Sequence, residues 1–218
     1  MPEKSSREYR NMRLRVRADA GPDDDSRIVT GYASTFGEPY YLFGWDGIEV
    51  WEVVERGAFD STDMSDVIMQ YDHQGRVFAR TRNNTLTVRP DDKGLFIEAD
   101  LGGTELGCEL FDEIRGGYTD KMSFGFTVDG EYEEREKNDA GVTIYTRHIT
   151  SVDKLYDVSA VSIPANDGTS IEADATTRSI GHLTDGVIER IRAERLEEEK
   201  LATLKRMALG RAEKSERN

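Results

Sequence analysis

Three residues of this sequence could together attack a carbonyl group: Ser123, His73 and Asp157. A serine hydroxyl is a weak nucleophile unless a neutral imidazole accepts its proton, and that imidazole needs a carboxylate to fix its tautomer. The chain supplies one group of each kind, in the order His, Ser, Asp, without the G-x-S-x-G turn of α/β-hydrolases. Each residue also has a purely structural interpretation: a tolerated strand serine, a hydrogen-bonded histidine and an aspartate paired with an arginine.

The segment around Ser123 alternates in the manner of a β-strand. Alternation places Ser123, Gly125 and Thr127 on one face, and it places Phe124 and Phe126 on the other. We interpret Gly125 as open space near the hydroxyl, where a substrate backbone could come close.

Asp157 and His73 lie in two further predicted strands. In the segment 156–161, alternation puts Asp157 on the same face as Ser159. A carboxylate on an otherwise apolar strand destabilises the fold unless it is paired. The segment 67–73 alternates as well, and His73 ends it on the same face as three apolar residues. Three strand segments would therefore have to bring the three side chains together.

The other ligand-type residues predict neither a cofactor nor a metal ion. The three histidines, His73, His148 and His182, and the single cysteine, Cys108, show no zinc-site spacing. The glycine-rich stretch 102–107 lacks the Gly-Lys-Ser/Thr ending of a phosphate-binding loop, so we interpret it as the cap of a helix.

Charge, hydropathy and cysteine content indicate which kinds of partner and compartment the sequence disfavours. The chain has 218 residues, 33% of them charged, and a formal net charge of −14. An acidic body repels phosphate backbones, which disfavours direct nucleic-acid binding. No apolar run approaches the roughly 18–20 residues of a membrane span, so no membrane contact is expected. The single cysteine excludes an intrachain disulfide and fits a reducing cytoplasm.

Short alternating segments predict a mostly β fold, largely antiparallel, with packed helices. Leu106, Leu110 and Ile114 recur at fourfold spacing and predict an amphipathic helix over 104–114. Strands are expected over 12–17, 27–36, 48–54, 67–73, 86–88, 95–99, 121–128, 142–149 and 154–163. Irregular or turn segments are expected over 20–26, 37–47 and 130–140, with a turn into a short helix at 56–59.

The composition changes beyond about Thr176. From Gly186 to Asn218 there are nine Lys/Arg and seven Asp/Glu, a net charge of +2, which leaves −16 for the rest of the chain. Apolar residues there recur among dense charges, as in a helix with a broken apolar stripe. We therefore predict one domain over 1–175 and a charged, largely helical tail over 176–218.

The sequence resembles the prohead protease family of HK97-like tailed phages, relatives of the herpesvirus assemblins. The resemblance spans roughly Arg13 to Ile171 and implies an assemblin-like antiparallel β-barrel core followed by a charged C-terminal helix. Its motifs occur in the family's order: Gly31-Tyr32-Ala33 with Phe36, Arg56-Gly57-Ala58-Phe59 (Arg for the family's Pro), Tyr71-Asp72-His73, Asp92-Lys93-Gly94-Leu95, Ser123-Phe124-Gly125-Phe126, and Asp157-Val158-Ser159-Ala160-Val161 with Pro164-Ala165-Asn166.

The resemblance assigns roles to the three candidate residues. It implies that Ser123 is the nucleophile, His73 the general base and Asp157 the third catalytic member. Asp157 departs from the Glu that is usual in the family; being one methylene shorter, it can orient His73 only if the strands approach more closely. His148 is the alternative third member, because assemblins use a second histidine there.

The resemblance also implies a serine endopeptidase that cleaves the scaffolding segment of the major capsid protein, and itself, during procapsid maturation. It would work inside the procapsid, in the host cytoplasm. Its partners would be the major capsid protein and the scaffold segment, and a homodimer is compatible with the resemblance. The tail 176–218 would then be a scaffold-like packaging segment and a cleavage target. The alternatives are a catalytically inactive relative acting as scaffold or assembly protein, and an unrelated β-rich binding module.

Overall fold

Two β-sheets dominate the computed structural model, which describes residues 7–12, 17–18, 26–45, 47–162, 189–193, 196–197, 200–201 and 203–206. The strands are β1 (Glu8–Met12), β2 (Arg17–Ala18), β3 (Ile28–Thr35), β4 (Tyr40–Trp45), β5 (Ile48–Val54), β6 (Ile68–Tyr71), β7 (Gln74–Arg80), β8 (Leu86–Pro90), β9 (Gly94–Asp100), β10 (Lys121–Lys137) and β11 (Thr143–Val161). The helix α1 covers Glu105–Arg115, and a 3₁₀ turn covers Thr81–Asn83.

The larger sheet has seven strands and is organised around β10 and β11, which pair antiparallel along their length. β1 pairs antiparallel with the other edge of β10. On the far side of β11, β5 pairs in parallel with its first half and β6 with its second half. β4 extends the sheet beyond β5, and β7 forms a hairpin with β6.

The smaller sheet has four strands in the order β2-β3-β9-β8, and all its pairings are antiparallel. Both sheets and α1 bury side chains in one hydrophobic cluster. Phe124 and Phe126 stack within it with ring centroids 4.6 Å apart. α1 contributes Leu110, Phe111 and Ile114. Burial of each of these large side chains contributes about 1.5–3 kcal/mol.

Several elements match the expectation from periodicity and capping. The strands predicted over 27–36 and 48–54 are β3 and β5, and the strands predicted over 86–88 and 95–99 are β8 and β9, which pair antiparallel. The helix begins after Thr104, whose hydroxyl accepts a hydrogen bond of 3.0 Å from the Gly107 amide. Such an N-cap satisfies a backbone donor that the first turn leaves unpaired.

The described residues do not form the predicted closed barrel, because neither sheet closes on itself. The larger sheet ends at β1 on one side and at β4 on the other, and each pairs with a single neighbour. The fold is mostly β and mostly antiparallel, as expected, but β11 adds two parallel pairings.

Outside the candidate site, four local predictions are wrong. The segment 37–47 contains β4, because its aromatic residues favour a pleated sheet. The acidic segment 130–140 continues β10 as far as Lys137, since backbone pairing with β11 holds it in register. The strands predicted at 142–149 and 154–163 are one strand, β11. Residues 56–59 form turns without a helix.

Some expectations lie partly or wholly outside the described residues. The strand predicted over 12–17 runs from the last residue of β1 to the first residue of β2, and residues 13–16 are not described. Of the turn at 20–26 only Ser26 is described, and the motif at 164–166 and His182 lie wholly outside the described residues.

Contacts divide the chain into two units, Met1–Thr177 and Arg178–Asn218. Every described residue of the second unit is helical. Within the described part of the chain, no helix combines the length and the apolar character needed to cross a membrane.

Candidate active site

Ser123 and Asp157 reach the site from neighbouring strands of the larger sheet. Ser123 lies on β10 opposite Ser159 on β11, and Asp157 lies opposite Gly125. The two residues are therefore diagonal neighbours on one face of the antiparallel pair. Diagonal neighbours lie about 7–8 Å apart, so a third side chain placed between them can contact both.

His73 enters from a hairpin turn, where a strand end was expected. Asp72 and His73 have φ values of 47° and 57° and connect β6 to β7. Positive φ at both central residues is typical of type I′ hairpin turns. In an uninterrupted strand, His73 would share the buried face of Met69. The turn instead brings the imidazole against Asp157 and Ser123.

The Asp72 side chain fixes this turn to the end of β11. Its carboxylate accepts hydrogen bonds from the amide and the hydroxyl of Ser162, both at 2.9 Å. Its own amide donates to the Ala160 carbonyl at 2.9 Å. These bonds hold a left-handed backbone that would otherwise be strained for a residue with a side chain.

The three candidate side chains form one continuous chain of hydrogen bonds. His73 Nδ1 lies 2.5 Å from Asp157 Oδ1, and His73 Nε2 lies 2.5 Å from Ser123 Oγ. A carboxylate beside Nδ1 favours the tautomer that carries its proton there, which leaves the lone pair of Nε2 to accept the serine proton. This arrangement can transfer the hydroxyl proton to the imidazole as the oxygen attacks a carbonyl.

Asp157 is fully buried and has three polar partners. Besides His73, its Oδ1 accepts a hydrogen bond of 2.8 Å from Ser159 Oγ. Its Oδ2 is paired with the guanidinium of Arg7. Asp157 is therefore paired with an arginine, as its structural interpretation expects, and it also contacts His73.

Gly125 does not provide the open space that was expected beside Ser123. A Cβ at this position would lie 2.5 Å from Asp157 Oδ2, 2.7 Å from Tyr9 Cε1 and 3.1 Å from Arg7 Nε. The space above Gly125 is already filled by these three side chains. The glycine is needed because the carboxylate crosses its strand at this point.

Comparison with protein families decides the affiliation. The profile of the caudovirus prohead serine protease family matches residues 12–185. The chain belongs to this family. It is accordingly a serine peptidase of the kind that acts on capsid proteins in the prohead of tailed phages. Searches of curated proteins and of solved structures returned no match.

His148, the alternative third member, lies elsewhere in the prohead protease. It precedes Asp157 by nine residues on β11, which corresponds to about 30 Å along a strand. Its Nδ1 lies 2.6 Å from Glu55 Oε1, and its ring stacks on Tyr132 with centroids 4.5 Å apart. The structure brings His73, Ser123 and Asp157 together and leaves His148 outside that group.

Sequence reasoning missed two residues, Arg7 and Tyr9, through which the N-terminal segment of the prohead protease contacts the candidate residues. The ring of Tyr9 meets the His73 ring edge-on, with centroids 4.4 Å apart. Arg7 pairs with Asp157 and lies over the rings of Tyr9 and Tyr156. Burial raises the pKa of Tyr9, partly offset by the charge of Arg7, so the phenol stays neutral at physiological pH. Arg7 and most of β1 precede the residues that the family profile matches.

A buried ionic cluster anchors the other face of β1. Arg10 donates to both carboxylate oxygens of Glu52, at 2.6 and 2.8 Å, and Arg147 donates to the same carboxylate at 2.8 Å. Glu8 bridges the two guanidinium groups. Arg10 and Glu52 are almost completely buried. The signal was present in the sequence as charges at inward-facing positions of apolar strands, such as Glu52 within β5.

Proposed function

We propose that the chain is the endopeptidase that removes the scaffolding segment of the major capsid protein during procapsid maturation. In this proposal, Ser123 is the nucleophile, His73 the general base and Asp157 the third member. The observation that supports it is the unbroken hydrogen-bond chain from Ser123 Oγ through His73 to Asp157, in a member of a serine protease family.

The chemistry follows from the order of the three groups. His73 Nε2 takes the proton of Ser123 as Oγ bonds to the scissile carbonyl carbon, and Asp157 stabilises the imidazolium that forms. His73 then gives the proton to the departing amine, which leaves an acyl-enzyme. Water, deprotonated by His73, attacks this ester and releases the new carboxyl terminus together with the Ser123 hydroxyl.

The shorter carboxylate of Asp157 is compatible with this role. Asp157 sits opposite a glycine, so its side chain can lie flat across β10 towards the imidazole. The hydroxyl of Ser159 holds Oδ1 in place at 2.8 Å. A residue with one methylene fewer than the family's usual glutamate therefore still reaches His73.

The partners and compartment are part of the same proposal. The substrates are the major capsid protein, its scaffold segment and the protease's own tail at 176–218, and the work is done inside the procapsid in the host cytoplasm. Homodimerisation is compatible with this role. The net charge of −14 disfavours direct binding to nucleic acid.

The decisive experiment is mass spectrometry of the capsid protein after co-expression with the wild type, with Ser123→Ala or with the control Ser61→Ala, which alters an exposed serine. We expect the wild type and the control to trim the capsid protein, and the Ser123 variant to leave it intact. Trimming by all three would show that a different residue or protein does the cutting.

One observation favours a second candidate, an inactive relative that serves as scaffold or assembly protein. Ser123 is 0% exposed, and an enzyme must expose its nucleophile to a substrate. This candidate predicts that capsid protein stays intact with the wild type and with Ser123→Ala alike, in procapsids that contain the chain.

A further inference from the structure

The proposed nucleophile is closed off from solvent. Ser123 and Asp157 are 0% exposed, and the His73 side chain is 3% exposed. A scissile carbonyl must come within about 3–3.5 Å of the attacking oxygen. Part of the protein has to move before a polypeptide can reach Ser123 Oγ.

β1 pairs with β10 along the part of that strand that contains Ser123. The register runs from Glu8 opposite Phe126 to Met12 opposite Met122, with Asn11 opposite Ser123. An unpaired strand edge is a template to which an extended peptide can add. Here the chain's own N-terminal strand occupies the edge beside the nucleophile.

The N-terminal segment also contacts the other two members of the proposed site. Tyr9 packs on the ring of His73, so the imidazole is covered on that side. Arg7 pairs with Asp157, whose carboxylate must compensate the imidazolium that forms when Ser123 is deprotonated. Arg7 thus occupies Oδ2 of the same carboxylate whose Oδ1 contacts His73.

The opposite face of β1 keeps the strand in place. Arg10 and Glu8 join the buried cluster with Glu52 and Arg147. Breaking one partner out of a buried ionic cluster costs several kcal/mol. β1 is thus held on one face by this cluster, and its other face carries Tyr9 against the proposed catalytic residues.

We propose that the segment from Arg7 to Met12 is an intrachain inhibitory strand, which keeps the proposed catalytic site closed until it is displaced. This inference rests on the proposed function. The inhibitory strand and the inactive relative considered above predict different results. If the strand is inhibitory, a chain in which the segment is loosened should gain reactivity at Ser123. Such a gain cannot come from unfolding, because an unfolded serine has no base to activate it.

The test is the rate at which a fluorophosphonate probe labels the purified full-length chain, with the labelled residue located by peptide mass spectrometry. The variant Arg7→Gln/Tyr9→Ala loosens the segment but keeps Glu8 and Arg10 in the buried cluster.

The control Arg56→Gln/Tyr118→Ala removes another arginine–aspartate pair and another tyrosine, both exposed. Ser123→Ala identifies labelling that depends on the nucleophile, and hydrogen exchange of residues 122–126 reports whether the strand edge has opened.

We expect the loosened variant to be labelled at Ser123 about tenfold faster or more than the wild type and the control. Equal rates at Ser123 in all three would overturn the inhibitory strand and leave the proposed function standing. No labelling at Ser123 in any form, with faster exchange at 122–126 in the loosened variant, would overturn the proposed function and the inference with it. If the double variant does not fold, the single variant Arg7→Gln takes its place. We then expect a smaller increase in the labelling rate at Ser123, and the same outcomes overturn the inference.

Discussion

The Asp157 carboxylate lies across Gly125, its opposite residue on the neighbouring strand. A Cβ at position 125 would stand 2.5 Å from Asp157 Oδ2, well inside the contact distance of real side-chain carbons. The glycine of the Ser-Phe-Gly-Phe motif, Gly125, therefore makes room for the carboxylate that faces His73. It does not make room for a substrate beside Ser123.

Gly125→Ala should displace Asp157 and Tyr9 and disturb the alignment with His73. A misplacement of about 1 Å in a catalytic group can lower the rate about 10²-fold, and overpacking costs about 1–3 kcal/mol of stability. We expect both effects, measured by capsid-protein cleavage and by urea unfolding. Gly103→Ala is the matched control, because nothing lies within 4 Å of its added Cβ, and it should change neither quantity.

Asp157→Asn should lower cleavage activity by about 10⁴-fold, because an amide can favour the wrong imidazole tautomer while its shape is nearly unchanged. Rates of capsid-protein cleavage with the two chains measure this loss. Asp112→Asn, which alters a half-exposed aspartate paired with Arg115, should retain wild-type activity. Activity of Asp157→Asn within a few-fold of wild type would contradict the role proposed for Asp157.

His148→Ala should leave cleavage within about twofold of wild type, since its partners are Glu55, Glu134 and Tyr132 and the hydrogen-bonded chain does not include it. His73→Ala should abolish cleavage under the same conditions. Loss of the stacked and hydrogen-bonded His148 ring should cost about 1 kcal/mol of unfolding free energy. Equal loss of activity in both variants would instead make His148 part of the catalytic machinery.

Glu52→Gln should lower the free energy of unfolding by about 3–5 kcal/mol, because it removes the anion from between two buried arginines. Glu52 is 0% exposed and accepts hydrogen bonds from Arg10 and Arg147. Asp92→Asn, which alters an exposed pair with Arg56, should change the same quantity by less than about 1 kcal/mol. Urea unfolding at neutral pH measures both. A small effect at Glu52 would mean that the cluster does not anchor β1.

The stabilising effect of Glu8 should disappear in acid. Burial alone would raise the pKa of Glu8, but Arg10 and Arg147 outweigh burial and hold the pKa below its ordinary value of 4.5. A carboxyl whose pKa is lower in the folded state contributes stability above its unfolded pKa, and this contribution is lost as the pH falls through the folded pKa. The destabilisation by Glu8→Gln should therefore be largest near neutral pH and shrink progressively below about 4.5.

Urea unfolding of the wild type and Glu8→Gln at a series of pH values from neutral to about 3 would measure this difference. Glu98→Gln, at an exposed position of β9, is the control and should give a small difference at every pH. A destabilisation by Glu8→Gln that does not change with pH would show that the lowered pKa of Glu8 does not govern this part of the stability.

The sequence by itself determined the elements whose patterns are local. β3, β5, β8, β9, and α1 with the cap in the stretch 102–107 follow from alternation, fourfold spacing and capping within a few residues. The ordered motifs also indicated the family and the candidate group Ser123, His73 and Asp157, because motif order along the chain needs no knowledge of pairing.

Only the tertiary structure decided how these residues meet and what surrounds them. The Asp72–His73 turn changes the side of the sheet that the imidazole reaches, and alternation along a strand cannot reveal it. Arg7 and Tyr9 reach the site because β1 pairs with β10, more than a hundred residues later in the chain. Strand register between distant segments depends on packing across the whole sheet, so no local pattern around Arg7 or Tyr9 could have shown that they contact Asp157 and His73.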